Sequence, residues 1–139
     1  MKETWRNILR NYDINSFEEY TNIFKALSDP TRLKIMWLLF TVDLKISVSE
    51  VKDVLQINQY TVSKHLKILK QAGLISEMKE GRWSYYYYLE NDNKFHNYVQ
   101  KTITQIPEEL MEEELSRCKK RLEMRVDGKC ILKVNIDDK

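Results

Sequence analysis

The chain has 139 residues, 32% of them charged and 42% hydrophobic, with a formal net charge of +2. That length suits one domain, or a small domain with helical extensions, and excludes a two-domain enzyme cleft. So small a net charge points to no partner by itself, and any basic character that matters must be local.

Only 3 Gly and 2 Pro punctuate the chain, which therefore reads as mostly helical. The opening MKETWRNILR lacks the apolar core of a signal peptide, and no apolar run approaches the roughly 18 residues of a membrane span. A cytoplasmic protein without a membrane partner is the expectation, and its two cysteines, Cys118 and Cys130, are not a disulfide framework.

In chain order, Trp5, Ile8, Leu9 and Tyr12 predict a helix over about residues 3–12. Ser16 and Glu19 have capping-box spacing, and Phe17, Tyr20, Phe24 and Leu27 form the expected buried stripe of a second helix. Asp29-Pro30 is an N-cap with Pro at the first helical position; the third helix runs through Leu33, Ile35, Met36, Leu38 and Leu39. Ser47 and Glu50 cap a fourth, with Val48, Val51, Val54 and Leu55 inward. A fifth is capped by Asn58 and stopped by Gly73.

LISEMKEGRWSYYYYL then reads as a β-hairpin centred on Glu80-Gly81, with Trp83, Tyr85, Tyr87 and Leu89 on one face. The Tyr85–Tyr88 run is read as core rather than an aromatic cage. Phe95, Val99, Thr102, Ile103 and Ile106 mark another helix, and Pro107 breaks it before EELMEEELSRCKKRLEMR. Residues 1–106 thus read as a winged helix-turn-helix domain with an extra N-terminal helix, and residues 107–139 as a C-terminal helix and short tail. The fold class is mainly α with a small β-hairpin wing.

Wound at 3.6 residues per turn, 58–72 places Val62, Leu66 and Leu69 inward and Gln59, Tyr60, Ser63, Lys64 and Lys67 outward. From Asn58 to Ser76 there are three lysines, Lys64, Lys67 and Lys70, and no acid. Major-groove base edges offer the donors, acceptors and methyls that Gln59, Tyr60, Thr61 and Ser63 can read, and lysines hold register on phosphates. His65 is assigned to packing or DNA contact, and Lys79 and Arg82 at the hairpin tip reach for the flanking backbone or minor groove. A solvated face, as in a winged-helix protein-interaction module without DNA binding, is the competing reading. No Gly-rich phosphate loop, Ser/His/Asp order or HExxH supports an enzyme.

ALSDPTRLKIMWLL, SVSEV, INQYTVSKHLKILKQAGLI and KEGRWSYYYYL, in that order, resemble the ArsR/SmtB family of repressors over about residues 17–90. The resemblance implies a homodimer on a palindromic double-stranded DNA operator, released when an effector binds. It also implies that the first helix and the helices after the wing form the dimer interface. Where many members carry a Cys-x-Cys metal site on the helix before the recognition helix, this chain has Ser47 and Ser49, and hydroxyls are poor ligands for soft metals. The family's carboxylate/histidine zinc site finds only Asp92 and His96, too few for zinc.

Two readings of the cysteines stay open. Met111, Leu115, Cys118 and Leu122 share a helical seam, which makes Cys118 a small hydrophobe in a dimer interface. Cys130, after the Asp127-Gly128 turn, begins an alternating stretch with Leu132, Val134 and Ile136. Alternatively Arg117, Lys119, Lys120 and Lys129 lower the pKa of exposed thiols, which then bind a metalloid or metal ion or form a regulatory disulfide.

Overall fold

A computed structural model describes residues 16–90 and 93–130. The expected helix over about residues 3–12, the zinc candidate Asp92 and the alternating Leu132, Val134 and Ile136 lie outside the described residues.

Helix α1 (Ser16–Leu27) buries Ile23 and Ala26, with Tyr20 and Leu27 half-buried beside them. The expected stripe is partly wrong: Phe17 is 85% and Phe24 58% exposed. Residues 17 and 24 are seven apart and share a line beside the inward one, so spacing alone could not tell the two apolar edges apart. Helix α2 (Pro30–Val42) follows the Asp29 cap, whose carboxylate accepts the Arg32 backbone N–H at 3.0 Å. Five successive residues, Ile35 to Leu39, are buried, so α2 is covered on all sides and forms the centre of the domain.

A two-residue strand β1 (Ile46–Ser47) leads into α3 (Val48–Leu55). Ser47 and Glu50 form the capping box reciprocally, each side chain meeting the other's backbone N–H. Helix α4 (Gln59–Gln71) starts with Asn58 accepting the Thr61 N–H at 2.8 Å. Its end is a Schellman motif: Gly73 at φ +76° lets its N–H reach Lys70 O and the Leu74 N–H reach Leu69 O.

Strands β2 (Ile75–Glu80) and β3 (Trp83–Tyr88) form the hairpin, and the antiparallel sheet has the order β1-β3-β2. The loop between the strands is Gly81-Arg82, one residue later than expected, with Gly81 at φ +59°. Of the four residues expected on one face, Tyr85 alone is fully buried and Leu89 is 42% exposed. Tyr86 and Tyr88 pack on the core from the other side, Tyr88 against Phe40 with ring centres 5.1 Å apart.

Helix α5 (Lys94–Thr104) buries Ile103, and Phe95 lies against Tyr20 and Phe24 of α1. A 3-10 turn, Glu108–Met111, then opens α6 (Glu112–Glu123). Met111 and Cys118 join the same core as α2 and α3, and the Trp37 indole N–H donates to Ile106 O at 3.1 Å. The segment after Pro107 is thus packed onto the domain that precedes it.

Candidate nucleic-acid interface

Val62, Leu66 and Leu69 are completely buried and anchor α4 on the core. The opposite side carries Gln59, Tyr60, Ser63, Lys64 and Lys67, all exposed, with Tyr60 79% accessible. Thr61 and His65 are half-buried on the flank of that face. The apolar positions fix the helix rotation, and the rotation then turns Gln59, Tyr60, Ser63, Lys64 and Lys67 to solvent.

Lys70 is partly diverted. Its ammonium lies 3.3 Å from Glu77 of β2, the first acid after the acid-free stretch. Glu77 also accepts from the Tyr86 hydroxyl at 3.0 Å and the Ser84 hydroxyl at 3.2 Å. The Tyr86 bond is the main reason the Glu77 carboxyl sits below its usual range. Burial, reinforced by that carboxylate, pushes the Tyr86 phenol up to about 12. This network ties the end of α4 to the wing and fixes how far apart they stand.

Lys79 and Arg82 are exposed on the wing, and the Arg82 guanidinium lies over the Trp83 ring, 5.3 Å from its centre. One cation escaped the sequence reading. Lys52 of α3 lines a cleft with Ser47, Ser49, Gln59, Arg82, Trp83 and Ser84, which puts it between the start of α4 and the wing. Its signal was its place outside the Val51 and Val54 face of α3.

Basic residues of the C-terminal segment have a different fate. Arg117 Nε donates to Val54 O at 2.7 Å, and Arg121 Nε pairs with Asp53 at 2.9 Å. Arg125 forms a two-point pair with Glu50, both contacts at 2.7 Å, and also holds Lys45 O. These three, four residues apart, fasten α6 and the turn after it along α3.

Cys118 is 1% exposed, among Ile35, Leu38, Leu39, Ile46, Val51 and Val54. It is a small hydrophobe, as one reading held, but of this chain's own core rather than a seam facing a partner. Burial, with Glu50 adding to it, pushes its thiol up to about 11; the lowering expected of an exposed thiol does not apply, because the sulfur is enclosed. Cys130 is also buried, its sulfur 3.1 Å from the Ser47 hydroxyl and 3.8 Å from Arg121 Nη2. Its backbone N–H donates to the Tyr85 hydroxyl at 2.9 Å. The sulfur therefore reaches the very start of α3, which separation in sequence could not show.

Half-buried His96 stands edge-on to Phe95, with ring centres 5.9 Å apart. Among the described residues no group of three or more His, Cys, Asp and Glu could hold a metal ion. No helix among them is long and apolar enough to cross a membrane.

A helix-turn-helix domain profile matches residues 27–77. An uncharacterized HTH-type transcriptional regulator of Methanocaldococcus jannaschii is 41% identical over 78 residues, spanning 56% of this chain and 86% of that protein. The arsenical resistance operon repressor of Bacillus subtilis is 38% identical over 86 residues, 62% of this chain and 73% of that one. Among solved structures, the homodimeric winged helix-turn-helix DNA-binding domain of a possible ArsR-family regulator from Mycobacterium bovis superposes with a TM-score of 0.56. It is 26% identical and covers 70% of this chain and 91% of its own. Matched along the segment that builds α2 to β2, with its polar helix face and wing in place, the chain belongs to the ArsR/SmtB family of winged helix-turn-helix, DNA-binding transcriptional regulators.

Proposed function

We propose that the chain is a homodimeric repressor that reads a palindromic operator through α4 and the wing and leaves it when an effector binds. The observation that carries this reading is the exposed, acid-free side of α4, with Lys52 and Arg82 flanking its start. Gln59, Tyr60, Thr61 and Ser63 at the helix N-terminus read base edges, and Lys64 and Lys67 sit on phosphates. Support for the dimer comes from aromatics left exposed on α1 and α5, Phe17, Phe24 and Tyr98, with α5 among the helices after the wing through which this family pairs its subunits. The dissociation signal is sought at Cys130, the thiol set beside polar groups at the start of α3, rather than at the enclosed Cys118.

Selection of duplexes from a random library by the purified chain tests this, followed by measurement of affinity and stoichiometry. Enrichment of a palindrome that binds two chains is the expected result. A library without any enriched sequence would sink it and leave a protein-interaction module. Titrating the complex with As(III), Cd(II), Zn(II) and a thiol oxidant then identifies the effector class.

A further inference from the structure

Arg32, in the first turn of α2, makes side-chain contacts to two other helices. Its Nε donates to Ala26 O at 2.6 Å and its Nη2 to Lys25 O at 3.4 Å, satisfying carbonyls at the end of α1. Its Nη1 lies 3.2 Å from Nδ1 of His65, in the middle of α4. A guanidinium has five donors and no acceptor, so Nδ1 must accept and cannot carry a proton. A hydrogen bond in this arrangement leaves Nε2 as the ring nitrogen that carries the proton. Imidazolium, or the other tautomer, would turn an N–H toward a cation.

We propose that Arg32 is a positioning residue for DNA binding: braced on the last carbonyls of α1, it holds His65 in the Nε2–H form, ready to donate to a backbone phosphate of the duplex. This rests on the DNA reading of α4. His65 shares a half-buried flank of α4 with Thr61, one turn earlier, and Thr61 borders the exposed Lys64 three residues on, where a strand of the duplex would pass. Arg32 then links the end of α1 to the orientation of a reading side chain, a role that a residue seen only as part of the α2 start would not have.

Two measurements on the 139-residue chain decide the matter. Nitrogen-15 spectra of the histidine rings, without DNA, report the tautomer; the Nε2–H pattern for His65 is expected, and its loss in Arg32→Met. A double-mutant cycle on a duplex enriched from a random library separates positioning from mere support of the fold. Arg32→Met is expected to weaken binding about tenfold when His65 is present and less than about twofold in a His65→Ala background. An Nδ1–H or imidazolium His65 at neutral pH, or equal losses in both backgrounds, overturns the proposal while DNA binding stands. A wild-type chain that retains no duplex overturns both.

Discussion

Helices α4 and α6 each carry basic residues at helical spacing: Lys64, Lys67 and Lys70 on one, Arg117 and Arg121, continued by Arg125, on the other. On α4, Lys64 and Lys67 stay exposed. On α6, Arg121 is completely buried, and all three arginines bond to α3 through Val54 O, Asp53 and Glu50. The difference lies in the neighbour. Helix α3 turns acids toward α6, whereas no acid lies between Asn58 and Ser76, and Lys70 is drawn aside once Glu77 comes within reach. A row of cations becomes a binding face when the fold offers it no internal anion, and a structural clamp when it does.

The largest effect expected from breaking this contrast falls on the clamp. Glu50 is fully buried, so Glu50→Ala strands the Arg125 guanidinium and removes half of the α3 capping box. A loss of about 3–5 kcal/mol in denaturant unfolding is predicted. A change below about 1 kcal/mol would mean the pair is not formed in solution.

Next in size is the open face. Lys64→Ala, Lys67→Ala and Arg82→Ala together should leave stability within about 0.5 kcal/mol while weakening duplex binding at least tenfold. A matching drop in melting temperature would place these cations in the fold's own contacts instead. Within that face, Gln59→Ala and Ser63→Ala should cost about 1–3 kcal/mol on the selected operator and little on scrambled DNA. Lys67→Ala should weaken both sequences alike, and equal losses for all three would contradict this division of labour.

The smallest effect is an alkaline limb of stability. The Tyr86 phenol at about 12 and the Cys118 thiol at about 11 ionise more readily in the unfolded chain, with ordinary values of 10.0 and 9.0. Folding therefore retains protons that the unfolded chain loses: their contribution is complete below the unfolded values and falls as pH rises through the folded ones. Tyr86→Phe combined with Cys118→Ala should flatten unfolding midpoints between pH about 9 and about 12. An unaltered slope would remove these groups from the account.

Local signals gave most of the fold. Asp29-Pro30, the Ser47 and Glu50 pair, Asn58 and Gly73 all act where their chemistry predicts, because capping is decided within four residues. The outward side of α4 was legible for a similar reason, since three buried positions fix its rotation. Phe17 and Phe24 misled because an apolar stripe does not say whether it meets its own core or another surface. Strand β1, the Arg125 pair with Glu50, and the approach of Cys130 to Ser47 depend on contacts across 38 to 83 positions, which periodicity does not carry. Lys52 belongs with these, for its place beside Arg82 exists only once the wing has folded back.

The salt dependence of duplex affinity tests the central contrast most directly, comparing wild type with the Lys64, Lys67 and Arg82 triple variant. Each phosphate contact adds about 0.9 to the slope of log affinity on log salt, so the triple variant should be shallower by up to about 2.7. Parallel lines for the two proteins would show that these cations do not touch the duplex.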